Sequence, residues 1–192
     1  MARKELKEKA KRERARAQAR KRRLRALWWM IPAAVVLVAA VGVLVWYVSR
    51  PGERVPSQGR DHIPVGTSPQ VDYNTDPPTS GPHYDPSARP GIYDEPMPDG
   101  YLVHSLEHGY VIISHNTEGL PDSDAEEMVS QLEEIARSED LWKLIVIPRP
   151  GMESRIALTA WQRIDTMDAV DERRIRRFIS AWRDRGPEDT PN

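Results

Sequence analysis

The chain has no cysteine. Disulfide staples, thiolate nucleophiles and thiol redox chemistry are therefore excluded, and a folded domain must rest on its own core or on a metal. Motifs that commonly announce an enzyme are also missing. The sequence contains no G-x-S-x-G elbow, no Gly-rich phosphate loop, no H-E-x-x-H pair and no internal repeat. The letters HSLEH at 104–108 do satisfy the inverted H-x-x-E-H pattern, but Gly109 and the β-branched run after it leave no room for the long helix such peptidases use. No catalytic residue is assigned, and the balance leans away from an enzyme.

Charge is scarce in one place and lopsided elsewhere. Leu27 to Ser49 contains no charged residue. Residues 1–25 hold 13 Lys and Arg against Glu5, Glu8 and Glu13, a charge of +10, which leaves −11 for the rest of a chain whose total is −1. A charge-free run of this length, with Trp28 and Trp29 at one end and Trp46 and Tyr47 at the other, predicts a transmembrane helix over 27–49. The positive flank then predicts a basic cytoplasmic tail over 1–26 and an extracytoplasmic domain in a single-pass protein of the cell membrane. The implied partners are the lipid bilayer and a larger membrane protein complex. A solvated topogenic tail, and not a nucleic-acid-binding one, accounts for the basic head.

Residues 50–60 are polar and rich in proline and glycine and read as a linker. The domain runs over 61–188 in two unlike halves. Up to residue 100, proline is too dense for much helix or central strand, so an ordered loop arm is expected, with the closing stretch GPEDTPN frayed. The second half has regular patterns. Tyr110–Ser114 and Leu144–Ile147 read as strands, with a helix between them opened by a Ser123–Glu126 capping box. Ala125, Met128, Val129, Leu132, Ile135 and Ala136 give that helix one apolar face. Strand, helix, strand predicts a crossover with parallel strands. Ile156–Arg163 reads as a third strand, antiparallel to the second across Pro150-Gly151. A last helix is expected over 168–185 with Val170, Ile175, Phe178, Ile179 and Trp182 inward. The fold class is α+β: one N-terminal transmembrane helix, then a small mixed sheet with two helices and a long Pro-rich arm.

All five histidines fall between His62 and His115. His104 and His108 share a face if 104–108 is a helical turn, and could then meet one ion; on a strand they would stand about 13 Å apart. Gly109 favours the turn. His83 sits in the stiff loop PPTSGPHY, where a ligand is pre-organised. His62 precedes that loop, and Glu107 between the paired histidines is the nearest acid, able to ligate or to orient an imidazole. Met97 would favour Cu(I) if it joined them, although a lone loop Met more often fills a gap. The alternative is that these histidines lock the loops by hydrogen bonding in a non-catalytic interaction module or accessory subunit.

PPTSGPHY at 77–84, GIY at 91–93, LVHSLEHGYVII at 102–113 and LTAW at 158–161 resemble the bacterial domain-of-unknown-function family 3105. The resemblance covers about residues 61–188. It implies a secreted or membrane-anchored domain, and it places such proteins beside neighbours suspected of handling copper, an analogy rather than a property of these residues. It implies little about activity: its motif histidines match His83, His104 and His108, with His62 matching less closely, and Glu107, Tyr73, Ser80 and Gly81 also fall in its strings. The histidine cluster on a stiff loop and a turn makes an extracytoplasmic domain binding copper or zinc the leading expectation, with His83, His104, His108 and His62 as metal ligands and Glu107, Tyr73 and Ser80 in support.

Overall fold

The computed structural model describes residues 2–48 and 50–188, and the chain divides into two units, Met1–Ser49 and Arg50–Asn192. The first unit is one helix, α1 (Ala2–Val48), which takes the basic head and the apolar run into a single element. Among the described residues no helix is long and apolar enough to cross a membrane. The expected transmembrane helix over 27–49 is thus overturned, and with it the single-pass anchoring and the placement of the two ends across a membrane. The side chains of Trp29, Trp46 and Tyr47 lie outside the described residues.

The second unit is α+β. Its elements are β1 (Glu53–Arg54), β2 (His62–Ile63), β3 (His83–Tyr84), β4 (Gly91–Ile92), α2 (Asp99–Glu107), β5 (Val111–His115), α3 (Asp122–Ser138), β6 (Leu144–Pro148), β7 (Ile156–Ala160), β8 (Arg163–Met167) and α4 (Glu172–Trp182). Six strands form one sheet in the order β1-β8-β7-β5-β6-β4, and β2 pairs with β3 separately. β5 and β6 run parallel, with Ile112 opposite Ile145 and Ile113 opposite Val146. α3 makes the crossover between them.

Both faces of the central strands are covered, which is why they read as unbroken apolar runs rather than as alternations. Val111, Ile113, Leu144 and Val146 face α3 and α4, whose Leu132, Ile135, Ile175, Phe178 and Ile179 close the larger core. Ile112, Ile145 and Ile147 point the other way, onto Leu102 and Leu106 of α2. α2 is a helix beyond the two expected, and it carries the HSLEH segment.

Other expectations are corrected. β7 pairs antiparallel with β5, not with β6. The far edge of β6 is taken by β4, where Tyr93 N–H donates to Val146 O at 2.9 Å. α3 is capped by Pro121 with no side-chain hydrogen bond, and Ser123 Oγ donates to Asp124 instead of closing a capping box. Residues 50–60 contribute β1 to the sheet edge, with Val55 buried and Trp182 Nε1–H donating to Pro51 O. The expected frayed tail is docked as far as it is described: Glu188 N–H donates to Glu107 O and Asp184 N–H to Gly109 O. Residues 189–192 lie outside the described residues.

Candidate metal centre

The site is built where the small β2–β3 ribbon meets the C-terminal end of α2. The ribbon is parallel and sets His62 directly opposite His83. Its hydrogen bonds, His83 N–H to Asp61 O and Gly81 N–H to Gly59 O, fix the height of both histidines. Gly81 has φ of +125°, and a Cβ there would stand 3.0 Å from the Tyr73 ring. Tyr73 closes the turn from behind, with its hydroxyl donating to Pro82 O at 2.7 Å. Burial first, then the Asp99 charge, pushes that phenol up to about 12. Ser80 is buried and its Oγ accepts from Gln58 N–H. Tyr73 and Ser80 therefore shape the loop that carries His83.

α2 brings the other ligands. Asp99 in its first turn holds Arg149 through both carboxylate oxygens, which ties the helix start to the end of β6. His104 and Glu107 lie in the last turn and His108 caps it, its N–H donating to His104 O at 3.2 Å. Both His104 and Glu107 are buried.

The hydrogen bonds decide which imidazole nitrogens carry protons. His83 Nδ1 lies 2.8 Å from Gly81 O, and His104 Nδ1 lies 2.7 Å from Tyr84 O. A carbonyl only accepts, so each Nδ1 is protonated, and in the neutral ring each Nε2 is a bare lone pair. Burial is the main force keeping His83 neutral, lowering its pKa, with His104 and His62 adding to it and the Gly81 carbonyl and Glu107 opposing. His83 Nε2 is buried and has no hydrogen-bond partner among the described residues, although Glu107 Oε2 stands only 2.8 Å away. The separation is short, but the geometry is not that of a hydrogen bond, and Nε2 has no proton to give. Two acceptors thus face each other out of water. Such a contact is costly unless a positive centre lies between them.

His62, His83, His104 and Glu107 each offer one ligand atom, all within 4.8 Å of one another. The ligand atoms of a tetrahedral ion with bonds near 2.1 Å stand about 3.4 Å apart. Small side-chain movements close the set, most freely at His62, whose side chain is 46% exposed. Anchoring of an imidazole through Nδ1–H to a carbonyl is the usual outer support of a metal-bound histidine. The other Glu107 oxygen, Oε1, is 3.4 Å from Arg60. The residues present therefore fit a metal ion.

Of the residues singled out by sequence, His62, His83 and His104 come together, and Glu107 joins them as a fourth possible ligand rather than only a support. His108 does not belong to this group. It forms another, with His104 and Glu188. Met97 packs against the apolar cluster on the α2 side of the sheet. Arg60 and Glu188 had no signal in the sequence, since each is an ordinary charged residue in a polar stretch.

His115 stands apart, at the end of β5. It is buried, its Nδ1 has no partner among the described residues, and burial lowers its pKa despite the nearby charge of Glu133. Unfolded, this ring titrates near 6.5; folded, it protonates only at lower pH. The unfolded state therefore binds more protons between those values, and stability is intact above about 6.5 and lost below it. One such histidine contributes at most about 1.4 kcal/mol per pH unit. Denaturant midpoints at pH 7.5 and 5.5 should show this loss, and His115→Gln should reduce it. An unchanged slope in that variant would assign the loss to other groups.

The family model described as protein of unknown function (DUF3105) matches residues 65–192. No curated protein and no solved structure matches the chain. The matched span includes His83, His104, Glu107 and His108 and leaves His62 just outside it, and on its extent the chain belongs to the DUF3105 family of proteins of unknown function.

Proposed function

We propose that this chain holds a divalent transition-metal ion, zinc or copper(II), on His62, His83, His104 and Glu107. The observation that carries the reading is the buried acceptor pair, His83 Nε2 against Glu107 Oε2 at 2.8 Å with no hydrogen bond between them. A cation bound by both turns that repulsion into two coordinate bonds. Three imidazoles and one carboxylate suit borderline ions such as zinc and copper(II). Copper(I) is disfavoured, because the chain has no thiol and Met97 packs elsewhere.

Four protein ligands fill a tetrahedral ion and reserve no place for substrate, which is the pattern of a structural or storage site. When bound, the ion supplies positive charge and a rigid four-way link; everything else is done by the chain. Gly81 O and Tyr84 O hold two rings in the tautomer that ligates, Arg60 remains on the outer oxygen of Glu107, and burial lowers the tendency of His83 to take up a competing proton. The site would tie the loop arm to α2.

The test is elemental analysis of the full chain after equilibration with zinc or copper(II) and removal of excess. One equivalent retained by the parent, and none by His83→Ala combined with His104→Ala, is the expected result. A parent chain that keeps no metal sinks the reading and leaves the histidines as loop-locking hydrogen bonders.

A further inference from the structure

His104 belongs to two groups. The inner one is His62, His83, His104 and Glu107; the outer one is His104, His108 and Glu188. They differ in exposure. The side chains of His83 and Glu107 are 0% and 4% exposed, whereas those of His108 and Glu188 are 19% and 52% exposed and lie 3.6 Å apart. The Nε2 atoms of His104 and His108 are 2.9 Å apart.

The His104 ring has one nitrogen to offer, because Nδ1–H is committed to Tyr84 O. One lone pair binds one ion. The two groups cannot both be filled through His104, so they are alternative seats for a single ion and not a two-metal centre. The outer seat is also a built feature. The chain after α4 is strapped to the end of α2 by the Asp184–Gly109 and Glu188–Glu107 backbone bonds. Gly186 approaches so closely that a Cβ there would lie 2.0 Å from Glu107 O and 2.4 Å from Gly109 N. That close approach brings Glu188 to His108.

We propose that His108 and Glu188 form an outer loading station, from which a divalent transition-metal ion passes to the inner group across His104. This rests on the inner group being a metal site. In the outer seat the ion is bound by His108 Nε2, Glu188 and His104 Nε2, with the His108 proton shifted to Nδ1. The ion then keeps its bond to His104 while His83 and Glu107 replace His108 and Glu188, and the His108 proton returns to Nε2. No electron moves, and no bond other than coordination and this N–H changes.

The test is stopped-flow transfer of zinc from a coloured chelator to the metal-free full chain, and back, for the parent, His108→Ala and Glu188→Gln. The expected result is that both variants load and release zinc at least tenfold more slowly, while the equilibrium constant changes less than twofold. A residue on the path alters both rates together, whereas a residue that only ligates the final ion alters release and affinity. Parent-like rates in both variants would overturn the station and point to entry past the exposed His62. Loss of affinity without slower loading would overturn it too, by making these residues ordinary ligands. Failure of the parent to take up any zinc would instead remove the metal site beneath the proposal.

Discussion

Glu107→Gln is expected to stabilise the metal-free protein while removing most of its affinity for metal. The two effects have opposite signs because the same carboxylate serves one state and burdens the other. Without a cation, the buried Glu107 Oε2 stands 2.8 Å from a His83 nitrogen that has no proton to share. The half-exposed Arg60 relieves only the other oxygen, at 3.4 Å. A glutamine amide fills the same volume, removes a buried charge and supplies an N–H for His83 Nε2. One such hydrogen bond contributes about 1 kcal/mol, a rise of a few degrees in midpoint for a domain of this size. With metal, the variant loses an anionic ligand. Replacing even an outer-shell partner costs roughly 10–100-fold in affinity, so loss of a direct ligand should exceed about a hundredfold. Thermal denaturation with and without zinc reads both effects: the parent's midpoint rises with zinc, and the variant starts higher and responds little. If His83 and Glu107 are instead an ordinary buried ion pair, removing one partner costs about 3–5 kcal/mol. A metal-free variant less stable than its parent by that amount would show that His83 carries the positive charge itself.

The sequence was most informative where structure is local. α3 and the two strands it joins follow from runs of five to seventeen residues, and of the expected face of α3 Met128, Leu132, Ile135 and Ala136 are buried while Ala125 and Val129 are only partly so. The inward face of α4 is legible for the same reason: Ile175, Phe178, Ile179 and Trp182 repeat at helical spacing and are all buried. What could not be read depends on partners far along the chain. β1 is two residues long and is a strand only because β8 lies beside it. β3 is equally short, and nothing in PPTSGPHY says that its neighbour is the strand containing His62. Nothing local in these segments says that β7 lies beside β5 while β4 takes the far edge of β6.

At the site, histidine betrays itself by its chemistry, so His62, His83, His104 and His108 stood out from the sequence alone. Their division into two groups did not. It is set by where α2 stops and by Glu188, whose position rests on the close fit of Gly186 against the end of that helix. The apolar run after the basic head shows the opposite failure. Its composition suggested a membrane span, yet the described residues form one long mixed helix in which no segment meets the requirement.

Gly100→Ala should damage both fold and site, against the usual effect of that exchange. In an open helix position, alanine is favoured over glycine by about 1 kcal/mol. Gly100 lies in the first turn of α2, and a Cβ there would stand 2.6 Å from Cγ and Cδ2 of Tyr84 and 2.8 Å from Cδ1. Those atoms belong to a rigid ring that cannot yield by bending. Tyr84 is buried, stacks edge-on with Tyr101 at 4.9 Å and donates its hydroxyl to Thr67 O. The ring must therefore move as a body and take β3 with it. Tyr84 O is also the anchor of His104 Nδ1, and the residue before it is His83. The absent side chain at 100 is what lets β3 approach α2 closely enough for His83 and His104 to face one ion. Overpacking of this kind costs about 1–3 kcal/mol, and a shift of the two rings should weaken zinc binding at least about tenfold. Denaturant midpoints of the metal-free proteins and competition for zinc against a chelator measure the two consequences separately. A variant as stable as its parent, with unchanged affinity, would mean that β3 and α2 have slack between them and that the convergence of these histidines does not depend on Tyr84.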